Sequence, residues 1–274
     1  MHSISIWQRV CITLLFSTYL HAAPTPQNQT EPKPKKNLEA DAGGGILQFA
    51  NPLHQDMLNN STQAVKKLPD PDIDRLIDSM LIKMRANKGG VGISANQVGK
   101  SLQISIVTSP FTGDSTAYEV YINPVITEAS ESTHCFWHGC LSDSSDKFGK
   151  VSTWQTITVS AQDQKGKVFT KKLQGFDAII FQHEFRHLLG GGYLDHSSAY
   201  RSEKEMIQAM MDQMQKGTFK HMESCDDGHK PLLDGYKTGE KIEEYAKRIT
   251  KKALDKEEKK PSTTRLAPPV DQKK

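Results

Sequence analysis

Apolar residues recur along this chain with two different periods, and the change of period marks out its elements. Between residues 70 and 86, Ile73, Leu76, Ile77, Met80, Leu81 and Met84 follow helical spacing. Asp70-Pro71 supplies an N-cap and a first-turn proline, and Gly89-Gly90 supplies a stop, so the pattern predicts an amphipathic helix. The spacing then becomes alternate. Leu102, Ile104 and Ile106 alternate with polar residues, Glu119 to Ile122 makes a short run, and Ile157, Val159 and Ala161 alternate again, which predicts strands. Asp163-Gln164-Lys165-Gly166 is turn chemistry and joins the last of these to Val168-Phe169-Thr170 as a hairpin. Phe176 to Leu189 is strongly apolar and runs into Gly190-Gly191-Gly192, the pattern of a buried helix with a glycine stop.

A helix, then several strands, then a buried helix predicts an α+β domain over residues 44–220. Pro24 to about Asp41 is rich in Pro, Gln, Asn and Lys and cannot bury enough surface to repay ordering, so residues 24–43 read as a linker. Residues 221–274 read as a charged extension, in which Ile242, Tyr245, Ala246, Ile249 and Ala253 have helical spacing before a polar end from Glu258 to Lys274. At the N-terminus, Arg9 precedes the apolar run Val10 to Leu20 and the small-residue end His21-Ala22-Ala23. That layout predicts a secretory signal peptide over residues 1–23 and an exported protein, periplasmic or secreted. The apolar run is shorter than the ~20 residues a membrane span needs, so no stable span is expected after signal removal.

Composition changes this picture little. With 36% hydrophobic and 24% charged residues, the chain is of the soluble globular class. Its net charge of +3 is small, and its basic residues gather in the tail without interleaved aromatics, which argues against nucleic acid as a partner.

Cysteine changes it more. Cys11 falls in the signal segment, leaving Cys135, Cys140 and Cys225, an odd number for an oxidising compartment. If Cys135 and Cys140 shared one strand, their Cα atoms would stand roughly 16 Å apart, beyond bridging range. The expectation is therefore a bridge from Cys135 to Cys225, or two free thiols, with no bridge to Cys140.

The chemistry concentrates in His183-Glu184-Phe185-Arg186-His187. Two imidazoles four residues apart on a helix point from one face toward a common metal, and Glu184 beside the first can take the proton of a metal-bound water. The third ligand is open at this point. Tyr193 stands where a metzincin-like protease would carry its third histidine, which excludes that class. Glu203 or Glu205 would serve in a gluzincin-type protease, and Cys140 in His138-Gly139-Cys140-Leu141-Ser142 is the rival. His134 and His138 stand near the latter as spare histidines, which on a strand would be exposed.

Three segments decide between them. Gly90-Val91-Gly92-Ile93-Ser94-Ala95-Asn96-Gln97, Gly139-Cys140-Leu141-Ser142 and Gln182-His183-Glu184-Phe185-Arg186-His187-Leu188 resemble the signature motifs of the peptide deformylase family, in the family's order. Ile46-Leu47-Gln48, Asn51-Pro52 and Tyr121-Ile122-Asn123-Pro124 extend the resemblance over roughly Gly45 to Ser197. It implies a deformylase-like fold, with mixed or antiparallel strands around a central HExxH helix. Cys140, His183 and His187 would hold one divalent metal, Glu184 would be the acid/base, and Gln97 and the Leu141 backbone N–H would stabilise the oxyanion. Val91, Gly92, Phe176 and Ile180 would line a pocket for a methionine-like side chain.

The implied activity is removal of the formyl group from formyl-methionyl peptides through metal-bound hydroxide, by a monomer. The family implies Fe²⁺, whereas an oxidising compartment favours Zn²⁺. The chain departs from the family's pattern at Ser94 (usually alanine), His138 (usually glutamate) and Arg186 (usually aspartate), and no arginine around residues 147–154 replaces the usual partner of that glutamate. The departures raise a second reading, a non-catalytic module that binds peptide or metal.

Overall fold

The computed structural model describes residues 45–87, 89–108, 117–206, 208, 212, 225 and 231–258. The expected signal peptide, the linker and the polar end of the tail lie outside these residues.

Helix α1 (Gln55–Asn59) is short, and α2 (Pro71–Ala86) is the amphipathic helix anticipated from residues 70–86. The Asp70 side chain accepts a hydrogen bond from Asp72 N at 2.9 Å, satisfying one of the free first-turn amides of α2. Its Ile73, Ile77, Met80, Leu81 and Met84 are buried with Ile93, Ile104, Ile106 and Ile122 in one hydrophobic cluster. Those last residues belong to β1 (Gly92–Ser94), β2 (Ile104–Thr108) and β3 (Tyr118–Ala129). They are followed by β4 (Thr133–His138), β5 (Lys147–Trp154), β6 (Thr156–Gln162) and β7 (Val168–Gln174), then helix α3 (Gly175–Leu189) and strand β8 (Tyr200–Ser202).

Five strands form one sheet in the order β1-β2-β3-β6-β7, and β4-β5-β8 form a second of three. Every strand pair is antiparallel. The α+β class and the antiparallel strands are as the sequence predicted, including the hairpin that links β6 to β7.

Helix α3 is buried almost all round, from Ala178 to Leu189 with only Arg186 partly exposed. A helix apolar on every side belongs inside a core rather than on a surface. Ile180, Phe181, Phe185, Leu188 and Leu189 pack in a second cluster with Tyr121, Val151, Ile157 and Val159 from the strands. The C-terminal carbonyls of α3 are satisfied by the segment after α1. Thr62 N and Oγ1 both donate to Leu188 O at 3.0 Å, and Ser61 Oγ donates to Leu189 O at 2.9 Å. Gly190 then turns the chain away at φ 89°, where a Cβ would stand 2.5 Å from Asn59 O.

The core passes the boundary at residue 220. Leu232, Leu233, Tyr236, Ile242 and Tyr245 are buried in the cluster around α3, with the Tyr236 ring edge-on to Phe185 at 5.0 Å. The C-terminal helix α4 (Ile242–Glu258) is anchored by Glu243, whose carboxylate accepts from Gln103 Nε2 at 2.9 Å. Burial of these large side chains makes this part of the extension a working piece of the core, which its high charge obscured. Among the described residues, no helix is long and apolar enough to cross a membrane.

Candidate metal centre

Helix α3 carries His183 and His187 one turn apart, with their ring centroids 5.1 Å from each other. The loop after β4 brings Cys140 to the same point. Cys140 Sγ lies 3.2 Å from His187 Nε2, and the ligand atoms of Cys140, His183 and His187 all fall within 4.8 Å of one another. No other group of His, Cys, Asp or Glu among the described residues converges in this way.

Glu205, the acidic rival, is exposed, and its carboxylate accepts from Ser202 N and Oγ at 2.7 and 2.9 Å. Neither it nor Glu203 joins the cluster, which corrects the gluzincin alternative. A carboxylate on the surface past β8 is spent on capping its own turn and cannot reach inward.

Residues 47–49 and the Gln97 turn hold the cysteine loop in place. Gln48 Nε2 donates to Leu141 O at 3.0 Å, Phe49 N donates to Ser142 O at 3.0 Å, and Leu47 N donates to Gln97 O at 2.8 Å. Gln97 sits in the short 3₁₀ turn Ala95–Val98, where Ser94 N donates to its Oε1 at 2.8 Å. That bond turns the amide nitrogen toward the site, 3.1 Å from Ser142 Oγ and 3.7 Å from Cys140 Sγ. Asn96 Nδ2 donates to His187 O at 2.8 Å and fastens the same turn to α3.

Glu184 is buried beside its two histidines. Ser94 Oγ donates to its Oε2 at 2.8 Å and lies 3.0 Å from its backbone oxygen, with Ser105 Oγ at 3.1 Å completing the cluster. Gly92 leaves room for the other oxygen, since a Cβ there would stand 2.5 Å from Glu184 Oε1. Ser94 was legible only as a departure from a motif; the structure makes it the hydrogen-bond partner of the carboxylate.

His134 and His138 are buried, not exposed. The reason is tertiary: His138 turns inward from β4 into a group of three rings, its centroid 5.3 Å from His183 and 6.2 Å from Tyr193, which are 5.7 Å from each other. The Tyr193 hydroxyl in turn lies 2.8 Å from both Asp143 Oδ2 and Lys147 O, with one proton to donate between them, which ties the cysteine loop to the segment after α3.

Of the expected pocket residues, Ile180 is buried, while Val91 and Phe176 are partly buried against the same cluster. Phe136 meets Phe176 edge-on at 5.3 Å and is an addition that sequence spacing did not single out. Arg186 lies with its guanidinium against Gly191, where any Cβ would meet Nη2 at 2.8 Å.

Burial sets the protonation states. It lowers His183 to about 4 and His187 well below the ordinary imidazole value, so both are neutral, the ligand form. Burial also pushes the Cys140 thiol up, against the pull of the Ser142 backbone N–H, which reaches Sγ at 3.3 Å. A thiolate in such a place needs a cation beside it. Two neutral imidazoles and a buried thiol converging on one point are the donor set of a first-row divalent ion. The residues fit the metal.

Known proteins match the same part of the chain. The family model described as polypeptide deformylase matches residues 46–204. This chain belongs to the polypeptide deformylase family. A peptide deformylase of Desulforudis audaxviator is 32% identical over 160 residues, covering 58% of this chain and 97% of the relative. One from Dehalococcoides mccartyi is 37% identical over 133 residues, covering 48% of this chain and 76% of the relative. The crystal structure of peptide deformylase from Thermotoga maritima superposes with a TM-score of 0.51 at 29% identity, covering 57% of this chain and 98% of that one. The match to the family model ends at residue 204, while this chain's core continues through Leu232 and Tyr245.

Cys135 and Cys225 form a disulfide across 90 residues of sequence, and Cys140 is free. This is one of the two arrangements expected from the cysteine spacing. The bridge leaves the thiol at the metal centre uncommitted.

Proposed function

We propose that this chain is a metal-dependent hydrolase that removes the N-formyl group from formyl-methionyl peptides. The observation that carries the reading is the convergence of Cys140, His183 and His187 within 4.8 Å, beside the buried carboxylate of Glu184. Cys140, His183 and His187 would hold a divalent ion, which would supply Lewis acidity toward the formyl oxygen and toward water.

The remaining work falls to the chain. Burial raises Glu184 to about 8, with the Ser94 hydroxyl pulling it back down, so the group can both accept and return a proton near neutrality. It takes a proton from the attacking water and returns it to the amine as the bond between formyl carbon and nitrogen breaks. Gln97 Nε2 and the Leu141 backbone N–H supply donors for the negative charge that develops on the formyl oxygen. Val91, Gly92, Phe176 and Ile180 offer an apolar surface for the first side chain of the peptide.

Export is part of the proposal, supported by the pattern of residues 1–23 and by the Cys135–Cys225 disulfide, since such bridges persist in oxidising compartments. An exported monomer would act on released or foreign formyl peptides, and Zn²⁺ would suit its surroundings better than the Fe²⁺ that the family implies. Elemental analysis of the protein from its own compartment tests this, and iron alone would refute it.

The deciding assay uses mature protein loaded with Zn²⁺, Fe²⁺ or Ni²⁺ on formyl-Met-Ala peptides. Free amine should appear with at least one metal. Peptide binding without turnover at full occupancy would establish the binding-module reading instead.

A further inference from the structure

Two buried imidazoles meet end to end behind the metal centre. His138 Nδ1 lies 3.1 Å from His183 Nδ1, with the rings 24° from coplanar. A hydrogen bond between two imidazole nitrogens needs one that carries a proton and one that does not. The ligand cluster decides which is which. With Nδ1 of His183 committed to His138, Nε2 is the atom left for the metal. A neutral imidazole that ligates through Nε2 keeps its proton on Nδ1, so His183 donates and His138 accepts. His138 must then carry its own proton on Nε2, a buried atom with no hydrogen-bond partner. The site accepts the cost of one unpaired buried donor to obtain this acceptor.

We propose that His138 is a positioning residue for the metal: it selects the Nδ1-protonated tautomer of His183 and aims its Nε2 into the cluster, as a neutral acceptor. This inference rests on the metal reading above and deepens it. A neutral acceptor polarises His183 less than a carboxylate would, so the bound ion is held less tightly than it would be with glutamate at this position. It also asks less of the fold. His138 is buried, and the residue paired with it on β5 is Gly149 with no arginine on that strand, so an ionised glutamate would be buried without a guanidinium partner whenever the metal is absent.

The two effects have opposite signs, and that separates positioning from simple packing. The experiment measures Zn²⁺ affinity by competition with a chromophoric chelator, and thermal stability without metal, for full-length mature protein and three variants. His138→Glu should bind Zn²⁺ at least threefold more tightly than the parent while melting at a lower temperature without metal. His138→Leu, which fills the space but accepts nothing, should keep or raise the metal-free melting temperature yet lose roughly 10- to 100-fold in affinity. His138→Gln restores an acceptor and should return affinity to within about threefold of the parent. The visible spectrum of the Co²⁺-loaded protein should change in His138→Leu and be restored in His138→Gln.

Affinity that simply follows metal-free stability across the series would overturn the inference, as would unchanged affinity in His138→Leu. If His138→Leu does not fold, the Glu and Gln variants decide it, and a Glu variant no tighter than the parent sinks it. A parent that binds no Zn²⁺, equal to Cys140→Ser, is a different result, because it removes the metal reading and the inference together.

Discussion

The two halves of the metal centre are built by different means. On α3, His183, Glu184 and His187 belong to one turn of one helix, and their geometry follows from the helical repeat as soon as the helix is buried. On the β4 side, His138 and Cys140 are held 45 and 47 residues away from their partners, by a loop pinned to Gln48, Phe49 and Tyr193. The helix half is local, while the loop half depends on contacts from three other parts of the chain, residues 47–49, the Gln97 turn and Tyr193. Damage to the first should therefore remove chemistry while leaving structure, and damage to the second should show in structure or metal occupancy as well.

The largest effect belongs to the helix half. Glu184→Gln keeps the size and burial of the side chain but cannot shuttle a proton, so kcat should fall by roughly 10²- to 10⁴-fold, about 3–5 kcal/mol, with zinc content unchanged. Stopped activity with normal metal is the result that supports a local role. Loss of metal would show instead that the helix half is not self-contained.

Gln97→Ala probes the loop half from its 3₁₀ turn. One donor to the oxyanion is lost, and kcat should drop about 10²-fold. Because Gln97 also reaches Ser142 and lies near Cys140, metal affinity should weaken modestly in the same variant. A drop in kcat with fully normal metal affinity would place Gln97 with the helix residues in behaviour.

The disulfide tests how far the loop half leans on distant chain. Replacing Cys135 and Cys225 together by serine removes a cross-link spanning 90 residues and should cost about 2–4 kcal/mol of stability, read as a lowered melting temperature. Turnover per folded molecule should stay near the parent's, since Cys140 takes no part in the bridge. Lost turnover in folded protein would mean that the bridge also sets the position of β4 at the site.

The smallest effect concerns pH. Ser94 donates to the Glu184 carboxylate and so favours its ionised form; without that donor, the pKa rises further. A general base must be ionised, so the acidic limb of kcat/KM in Ser94→Ala should move to higher pH. At pH 6 the loss should be about tenfold, roughly 1.4 kcal/mol, and at alkaline pH it should shrink. An unmoved limb would show that the hydroxyl does not act on Glu184.

Sequence and structure agree best where a pattern is local. The 70–86 helix, the β6–β7 hairpin and the buried helix ending at Gly190 were all legible, because each is specified by a repeat and a turn or cap within a few residues. His138 reads as exposed in the sequence yet is buried in the fold, because Thr133-His134-Cys135-Phe136-Trp137-His138 has no clean alternation and nothing local says which face is covered. Leu232 and Leu233 were passed over for a similar reason. Two adjacent leucines in a polar stretch carry no period, and only the docking of that stretch on α3 buries them.

By itself, the sequence determined the helical pair of imidazoles with Glu184 between them, the fold class, and the short list of thiols from which a third ligand and a bridge could come. Those follow from the fixed geometry of the helix, from period, and from the reach of a disulfide, none of which needs the rest of the chain. The motifs implied Cys140 as third ligand, and the fold brings it to the histidines; only the tertiary structure decided that Ser94 holds the carboxylate and that His138 closes on His183 from behind. Each of those contacts joins residues more than 40 positions apart. Their formation depends on burying α3 between the strands and the C-terminal segment, an arrangement driven by apolar area that no short motif encodes.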